Sequence, residues 1–481
     1  MGLTPYSRLL PRLMPSTNYL GLRGEDNRGG KIIMVSKSIY IIASIVAVMS
    51  IAALWSNRYG SNIAPISTGV IEINTDAYAL TPSISPDGNR VVFLKKRAVD
   101  ELSDEGFGWP TLWNGSLVVT KIGSNSIEEV IDGRSGRIAW APDASAFYCY
   151  YVDKKIAVDY ENKLKKHFAD YERVMANKAH TASDYADVSE KYFTFNDSIK
   201  DLPLEILRVD VEPLKVTCLH KGSLGDMRPE KLAISSDGKY LCFVSEVSGF
   251  DSMCIIDALT GKIVWEKECG DAVRDFNWAP YEHTICFSVS RDGLYLYDMK
   301  EDRLQKIVNH KDVGFSDITW LPNGKSILLV ANNDVLKRFY VNTKKIENVY
   351  NYNNGCISYI KLSPNSKRLL IYDHIKKCLI LVDIVSKKHR VLTKGKGYVD
   401  YPDRLWLSNS KIGFPMYSNP KDSLNTTFYV MDVDKNTLQA YKDAHRVLPE
   451  YSLAVKGKKV TLTFWDDVRG KWRLFVKKFG V

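Results

Sequence analysis

One set of residues recurs along the chain, and each member is followed within four positions by a turn sequence. The set consists of Ile84, Trp140, Ile234, Trp278, Trp320, Leu362, Trp406 and Leu453. The turns resemble one another, as in Pro82-Ser-Ile-Ser-Pro-Asp-Gly88 and Trp320-Leu-Pro-Asn-Gly324. Successive members lie 56, 94, 44, 42, 42, 44 and 47 residues apart. A repeat period in the forties is typical of four-stranded sheets that are arranged radially.

Each repeat predicts four short strands. In residues 231–270, an apolar segment leads into the turn Ser236-Asp237-Gly238, and three further apolar segments follow. Pro presets φ in such turns, Asp binds its own backbone, and Gly accepts a positive φ. Strands this short cannot bury an apolar face alone, so neighbouring sheets must stack. Eight repeats predict an all-β chain that forms an eight-bladed β-propeller, with a seven-bladed ring as the alternative if a terminal unit is degenerate.

The chain also provides a way to close this ring. The last unit, residues 453–481, has room for three strands, which is one fewer than a blade requires. The segment Gly69-Val-Ile-Glu-Ile73 precedes the first complete unit and is predicted to supply the missing strand. Closure removes exposed sheet edges, which otherwise promote aggregation. The propeller is therefore expected to span residues 66–481.

Three segments carry a resemblance to known repeats. Ser85-Pro-Asp-Gly-Asn-Arg-Val-Val-Phe93 and Leu294-Tyr-Leu-Tyr-Asp298 resemble the TolB-like and WD40-like β-propeller repeats. One further segment, Asp257-Ala-Leu-Thr-Gly-Lys-Ile-Val-Trp265, is similar to a repeat of quinoprotein dehydrogenases and of the outer-membrane assembly propeller BamB. Because that segment occurs once, no cofactor is expected from it. The resemblance covers roughly residues 66–481 and implies the fold rather than an activity.

An uncharged segment, residues 38–55, precedes the propeller. Its length is near the lower limit of the roughly 17–25 residues that span a bilayer. Six basic residues lie upstream against two acidic ones, whereas Arg58 is followed by no basic residue until Arg90. This asymmetry predicts a cytoplasmic tail (1–37), a transmembrane signal-anchor helix (38–55), a linker (56–65) and a propeller that faces the periplasm or exterior. The protein is thus expected in the cytoplasmic (inner) membrane as a single-pass protein.

Two alternatives concern this N-terminal region. Ser50-Ile51-Ala52 fits a signal-peptide cleavage pattern, so the helix is either retained or removed, and both outcomes export the propeller. The start codon is also open between Met1 and Met34. Residues 28–34 can be encoded by a purine-rich tract followed by a start codon, in which case residues 1–33 would not be translated.

Composition and motifs exclude several function classes. The net charge is +10, but the lysines are scattered rather than gathered in a stripe, so nucleic acid is not an expected partner. The chain contains no Gly-x-Ser-x-Gly elbow, and its eight histidines show no paired-ligand spacing. We therefore predict no catalytic, cofactor-binding or metal-binding residues. The eight cysteines include no CxxC pair and are expected as buried free thiols.

Two insertions interrupt the regular period. The 94-residue interval contains about 50 extra residues, with a predicted amphipathic helix within about 155–200. A shorter insertion lies between Asp100 and Asn114. Both fall between second and third strands, so they should emerge on one face of the ring. We predict partner binding there by the aromatic and apolar residues Phe107, Trp109, Trp113, Tyr160, Leu164, Phe168 and Tyr171. The alternative is that the helix packs on its own propeller.

The repeated tryptophans have two interpretations, a stacking platform for a ligand or apolar fillers between blades, and packing is favoured. The predicted function is an extracytoplasmic, membrane-anchored scaffold or assembly factor that binds a protein or polysaccharide. The alternative is an envelope enzyme with a site in the propeller channel: a lyase, a glycan-active enzyme or a quinone-dependent dehydrogenase. Binding is favoured over catalysis, because the sequence shows insertions but no catalytic motif.

Overall fold

The computed structural model describes residues 70–73, 78–96, 112–124, 127–176, 198–247, 249–281, 283–309, 315–352, 355–373, 375–376, 378–393, 406–417, 426–445, 452–456, 459–468 and 471–480. The predicted tail, membrane segment and linker lie outside these ranges, as do Phe107 and Trp109. Residues Asn62–Val481 form one compact unit. Among the described residues, no helix has the length and apolar character needed to cross a membrane.

The described residues form thirty strands and one α-helix. The first part of the chain contains β1 (Val70–Ile73), β2 (Tyr78–Ile84), β3 (Arg90–Lys96), β4 (Trp113–Lys121), β5 (Glu128–Trp140), β6 (Ala146–Asp153), α1 (Lys154–Ala176), β7 (Pro203–Val211) and β8 (Leu214–Ser223). The middle part contains β9 (Met227–Ile234), β10 (Tyr240–Val247), β11 (Phe250–Asp257), β12 (Ile263–Glu268), β13 (Val273–Trp278), β14 (Thr284–Val289), β15 (Gly293–Asp298) and β16 (Arg303–Asn309). It continues with β17 (Phe315–Trp320), β18 (Ser326–Ala331), β19 (Val335–Tyr340) and β20 (Ile346–Asn351). The last part contains β21 (Ile357–Leu362), β22 (Arg368–Asp373), β23 (Cys378–Asp383), β24 (His389–Val391), β25 (Lys411–Tyr417), β26 (Thr426–Asp432), β27 (Thr437–His445), β28 (Ser452–Lys456), β29 (Lys459–Val468) and β30 (Lys471–Gly480).

The strands form a succession of small antiparallel sheets. Strands β9–β12, β13–β16, β17–β20 and β21–β24 each make a four-stranded sheet in sequence order, and β25–β27 make a three-stranded one. The first strands of consecutive sheets contact one another, as β9 contacts β13, β13 contacts β17 and β17 contacts β21. First strands that meet in this way place the sheets radially around an axis. The chain is therefore a β-propeller, as the repeat predicted.

The terminal strands share one sheet. β1 pairs antiparallel with β30, with Val70 opposite Lys477 and Ile73 opposite Leu474. The sheet has the order β1-β30-β29-β28, so a strand from the N-terminal side completes the C-terminal unit. The predicted closing strand is confirmed. Its pairing covers the edge of β30 that would otherwise stay open to another chain.

The first two repeat units are joined by one long strand. β2–β8 form a seven-stranded sheet because β5, which has 13 residues, pairs with β4 along its first part and with β6 along its second. Gly133 lies where the two pairings overlap, and a Cβ atom there would collide with the carbonyl oxygen of Val152. The sheets therefore do not correspond one to one to the repeats. The number of blades stays a prediction, with eight as the first choice and seven as the alternative.

The repeated tryptophans connect neighbouring sheets. Trp278, Trp320 and Trp406 are buried, and each indole Nε1 donates a hydrogen bond to a backbone carbonyl in the first strand of the preceding sheet or unit. The acceptors are Ala233 at 3.1 Å, Asn277 at 3.0 Å and Lys361 at 2.9 Å. The packing interpretation of this set is confirmed for these three tryptophans.

All eight cysteines are free thiols. Cys149, Cys242 and Cys286 are fully buried in second strands, and burial raises the pKa of Cys149 to about 12. The prediction of buried apolar fillers is confirmed for these three. Cys218 differs, because it lies on the exposed edge strand β8.

Candidate functional site

The insertions and several connections share one face of the propeller. In a four-stranded antiparallel sheet, the second-to-third connection and the connection to the next sheet leave from the same end. Both predicted insertions, after β3 and after β6, are second-to-third connections. We call this end of the sheets the insertion face. The turns that join first to second and third to fourth strands lie at the opposite face.

Helix α1 begins directly after β6 on the insertion face. The side chain of Asp153 caps it, because its Oδ1 accepts hydrogen bonds from the backbone N–H groups of Lys155 at 2.8 Å and Ile156 at 3.4 Å. One turn later, Ala157 and Tyr160 are buried in an apolar cluster with residues of β7 and β9. The first half of the helix therefore packs on its own propeller.

This packing changes the interpretation of Tyr160, which the sequence placed among the partner-binding residues. Its side chain is 4% exposed and belongs to the apolar core, so it has no accessible surface to offer a partner. An amphipathic pattern marks a buried face without showing what covers it. Here the covering surface is the propeller, which was the stated alternative for this helix.

A buried ion pair fixes the helix to the sheet. The guanidinium of Arg134 on β5 pairs with the carboxylate of Glu161 on α1, and their side chains are 2% and 4% exposed. Arg134 Nη1 also donates a hydrogen bond to the carbonyl oxygen of Leu112, at 3.2 Å. Leu112 lies at the end of the first insertion, so one arginine joins the two insertions. Sequence reasoning missed this residue, although an arginine between two apolar strand segments was a visible signal.

The other predicted site residues are described only in part. Trp113 begins β4, where its backbone is opposite Ser135, the residue next to Arg134. Leu164, Phe168 and Tyr171 lie in α1. The side chains of these four residues lie outside the description, and Phe107 and Trp109 lie outside it entirely. The described exposed residues of α1 include Lys155, Lys163, Lys165 and Lys166 as well as Asp159, which forms an ion pair with Lys163.

The first strands share a second feature, a β-bulge a few residues before the recurrent apolar position. Register shifts occur in β2, β5, β9, β13, β17 and β21. Bulges redirect side chains and are common beside functional sites. Arg137 and Asp317 lie in two of them and have positive φ values of 52° and 49°. Such a conformation is uncommon for residues other than glycine, although Asp tolerates it better than most.

Charged residues from these bulges meet across neighbouring sheets. Lys231 on β9 forms an ion pair with Asp275 on β13 and donates a hydrogen bond to the carbonyl of Phe276. The other oxygen of Asp275 accepts a hydrogen bond from the backbone N–H of Ile318 on β17. Asp275 therefore connects three consecutive first strands. Its carboxylate is fully engaged, which indicates a structural role.

Asp317 is a second carboxyl in this group. It is half-buried, and burial raises its pKa to about 7. The nearby carboxylate of Asp275 contributes to this rise in pKa, while the ammonium groups of Lys361 and Lys231 oppose it. A carboxyl that titrates near neutral pH can both give and accept a proton. Among the described residues, no group of three or more His, Cys, Asp or Glu side chains is positioned to hold a metal ion.

No protein-family model matches the chain, and neither does any curated protein sequence. Three similar solved structures are propellers or enzymes. The β-propeller domain of Swd1 from Myceliophteria thermophila is 13% identical over 72% of this chain and 96% of its own, with a TM-score of 0.40. An oligogalacturonate lyase from Vibrio parahaemolyticus is 11% identical over 86% and 97%, with a TM-score of 0.47. The β-propeller domain of the trilobed protease from Pyrococcus furiosus is 12% identical over 77% and 94%, with a TM-score of 0.45. The sheets of this chain, rather than these distant likenesses, establish its fold.

Proposed function

We propose that this protein is a membrane-anchored, extracytoplasmic β-propeller of the TolB-like kind that binds a protein or polysaccharide as a scaffold or assembly factor. Residues 38–55 are its anchor, and the propeller faces the periplasm or exterior. The insertion face is its binding surface. The observation that carries this proposal is Arg134, which holds the end of the first insertion and α1 together through Leu112 and Glu161.

The ion pair supports a binding role because it fixes the position of a surface element. A surface that is ordered before binding loses less conformational entropy when a partner arrives. Loops on a rigid scaffold are common sites of recognition. After the docked residue Glu161, α1 presents exposed Lys163, Lys165 and Lys166, and the two insertions also contain the predicted residues Phe107, Trp109, Trp113, Leu164, Phe168 and Tyr171. A basic surface with aromatic residues would favour a partner with an acidic patch.

Capture of partners from detergent extract tests this surface. The full-length protein would be compared with a variant in which Lys163→Glu and Lys166→Glu reverse the charge of α1. The matched control reverses Lys300 and Lys344, which are exposed in turns of the opposite face. We expect the α1 variant to lose the captured partner while the control keeps it. Equal capture by both variants would place the binding surface elsewhere.

The proposed topology has its own test. Protease added to intact spheroplasts should degrade the propeller, because residues 66–481 would be outside the cytoplasmic membrane. Protection of the propeller, under conditions that digest a periplasmic control protein, would contradict this location. The outcome does not depend on which partner is bound.

One observation favours a second candidate, an envelope enzyme with its site on the first strands. Asp317 has a pKa of about 7 and lies near the ammonium groups of Lys361 and Lys231, as a general acid or base in a lyase or glycan-active enzyme could. Turnover of polysaccharides by the purified full-length protein would be measured beside its Asp317→Asn variant. Turnover that the substitution abolishes would support the enzyme, and turnover that it leaves unchanged would exclude Asp317 as the catalytic group.

A further inference from the structure

Four turns of the opposite face carry a concentration of positive charge. They join first to second and third to fourth strands in the sheets β17–β20 and β21–β24. Their residues are 321–325, 341–345, 363–367 and 384–388. These turns are separated in the sequence, but the repeats return each of them to the same face. None of the four turns contains an acidic residue, and together they contain six exposed lysines: Lys325, Lys344, Lys345, Lys367, Lys387 and Lys388.

The four turns form one continuous surface, and we call its six lysines the lysine patch. In each sheet a backbone hydrogen bond of 3.0 Å joins the two turns, as from the N–H of Val341 to the carbonyl oxygen of Lys325. The two sheets also meet at this face, since Lys387 Nζ donates a hydrogen bond to the carbonyl oxygen of Asn348 at 3.2 Å. The lysines of both sheets therefore present their charges side by side.

The ammonium groups of the lysine patch are available to an external anion. Within the part of the chain that the structure describes, none of the six forms an ion pair with a carboxylate. Two carboxylates flank the turns. Asp383 Oδ1 accepts a hydrogen bond from the backbone N–H of Ser386 at 2.7 Å, and Glu347 accepts one from the hydroxyl of Tyr340 at 2.8 Å. Six positive charges against these two leave a clear positive excess on the surface.

Exposed apolar side chains lie in turns of the same face. Val385 is 80% exposed in the β23–β24 turn, beside the lysine patch. Tyr281 is 75% exposed in the β13–β14 turn, and Leu259 is 68% exposed in the β11–β12 turn. Among the described residues, these are the three most exposed large apolar side chains. Basic residues together with apolar and aromatic ones are typical of surfaces that lie on a membrane.

The chain also enters the propeller at the opposite face. As a third strand, β30 runs from the insertion face to the opposite face, so Leu474 lies nearer the first and Lys477 nearer the second. β1 is antiparallel to it, with Val70 opposite Lys477 and Ile73 opposite Leu474, and so begins at the opposite face. The link to the proposed anchor, residues 56–69, spans at most about 50 Å when fully extended. This link therefore holds the opposite face within reach of the bilayer.

We propose that the lysine patch docks the propeller on anionic phospholipid headgroups of the membrane that holds its anchor. This inference rests on the proposed function, because it requires the anchor of residues 38–55. Each lysine near an anionic surface strengthens binding about fivefold. The link raises the effective concentration of the headgroups, so weak individual contacts add up. With the opposite face on the membrane, the insertion face points away from it and stays open to a partner.

Pulsed acetylation of lysines, measured by mass spectrometry, tests the docking. The full-length protein would be incorporated into nanodiscs of phosphatidylcholine alone and of an equal mixture of phosphatidylcholine and phosphatidylglycerol. We expect the patch lysines to be acetylated about fivefold or more slowly in the anionic discs. The difference should be present at about 0.1 M NaCl and disappear at about 1 M. Lys163 and Lys166 on α1 are the internal control and should be acetylated equally in both discs.

Two charge-reversal variants complete the test. The variant with Lys325→Glu, Lys367→Glu and Lys388→Glu should lose the protection of the three remaining patch lysines. The matched control, Lys163→Glu with Lys166→Glu, should keep the protection of all six. The substitutions lie in exposed positions, and circular dichroism would verify that both variants are folded.

The proposal would be overturned if the patch lysines were acetylated at the same rate in both discs, if the α1 lysines were protected instead, or if the patch variant kept the protection. Slow acetylation in both discs would show that another part of the protein covers the patch, which also contradicts lipid docking. Failure of the proposed function gives different results. A protein that enters neither disc has no anchor, whereas one that enters both without protection, and still captures its partner through α1, is an anchored scaffold that does not dock on lipid.

Discussion

The Arg134–Glu161 pair allows a quantitative prediction about the docked helix. Glu161→Ala would leave the Arg134 guanidinium, which is 2% exposed, without its carboxylate. Removal of one member of a buried ion pair costs about 3–5 kcal/mol, because the remaining charge is buried without compensation. We therefore expect the free energy of unfolding to fall by about that amount. If α1 instead detaches and lets water reach Arg134, the loss should approach the lower value.

Urea denaturation followed by circular dichroism measures this change, and limited proteolysis reports whether α1 is released. The double variant Arg134→Met, Glu161→Leu should recover most of the lost stability, because apolar residues of similar size often replace a buried ion pair without loss. Lys163→Ala is the control, since its pair with Asp159 is 63% and 68% exposed and should contribute less than about 1 kcal/mol. A loss below about 1 kcal/mol for Glu161→Ala, or equal losses for the single and double variants, would contradict a stabilising role of the buried ion pair.

Three further predictions concern the ring itself. The pKa of Asp317 is about 7 in the folded state and ordinarily 3.8, so the carboxyl favours folding when protonated, and its contribution is lost as the pH rises from about 4 to 7. Asn tolerates the positive φ of this position and carries no charge at any pH. The stability of Asp317→Asn relative to the parent should therefore increase by roughly 2–4 kcal/mol between about pH 4 and about pH 8. A pH-independent difference in urea midpoints would contradict this. Trp320→Phe removes the indole hydrogen bond to Asn277 but keeps an aromatic filler, so it should cost about 1 kcal/mol, against about 3–5 for Trp320→Ala. Equal losses of stability in the two Trp320 variants would contradict separate contributions from the hydrogen bond and from the ring volume. Truncation of residues 1–73 removes β1 and uncovers β30, so it should lower the melting temperature and promote association, whereas truncation of residues 1–65 keeps β1 and should do neither. If the two truncated proteins showed the same association state in light scattering, this would argue against a protective role of β1 at the edge of β30.

Local patterns were sufficient to predict the features that repeat. The recurrent position, the turns and the closing strand β1 follow from spacing and turn chemistry, and the structure confirms the propeller. The continuous strand β5 was not predictable in this way. It joins two repeat units because Gly133 allows the backbone to pass close to Val152. This close approach depends on how the strands pair, which the spacing of residues along the sequence does not show.

The sites depend on contacts between residues that are distant in sequence, which periodicity cannot show. Helical spacing predicted α1, but whether Tyr160 faces a partner or the propeller depends on β7 and β9. The burial of Arg134 also changes the deletion that would test the insertion. Removal of residues 155–198 alone takes away Glu161 and leaves Arg134 unpaired, so a folded deletion variant requires Arg134→Met as well.

Cross-linking in native membranes, followed by mass spectrometry, would show whether the insertion face binds the partner. Cells expressing the full-length protein would be treated with an amine-reactive cross-linker. We expect cross-links to another envelope protein to start from Lys163 and Lys166 on α1. Cross-links that start from Lys300 and Lys344 on the opposite face, with none from the α1 lysines, would contradict it.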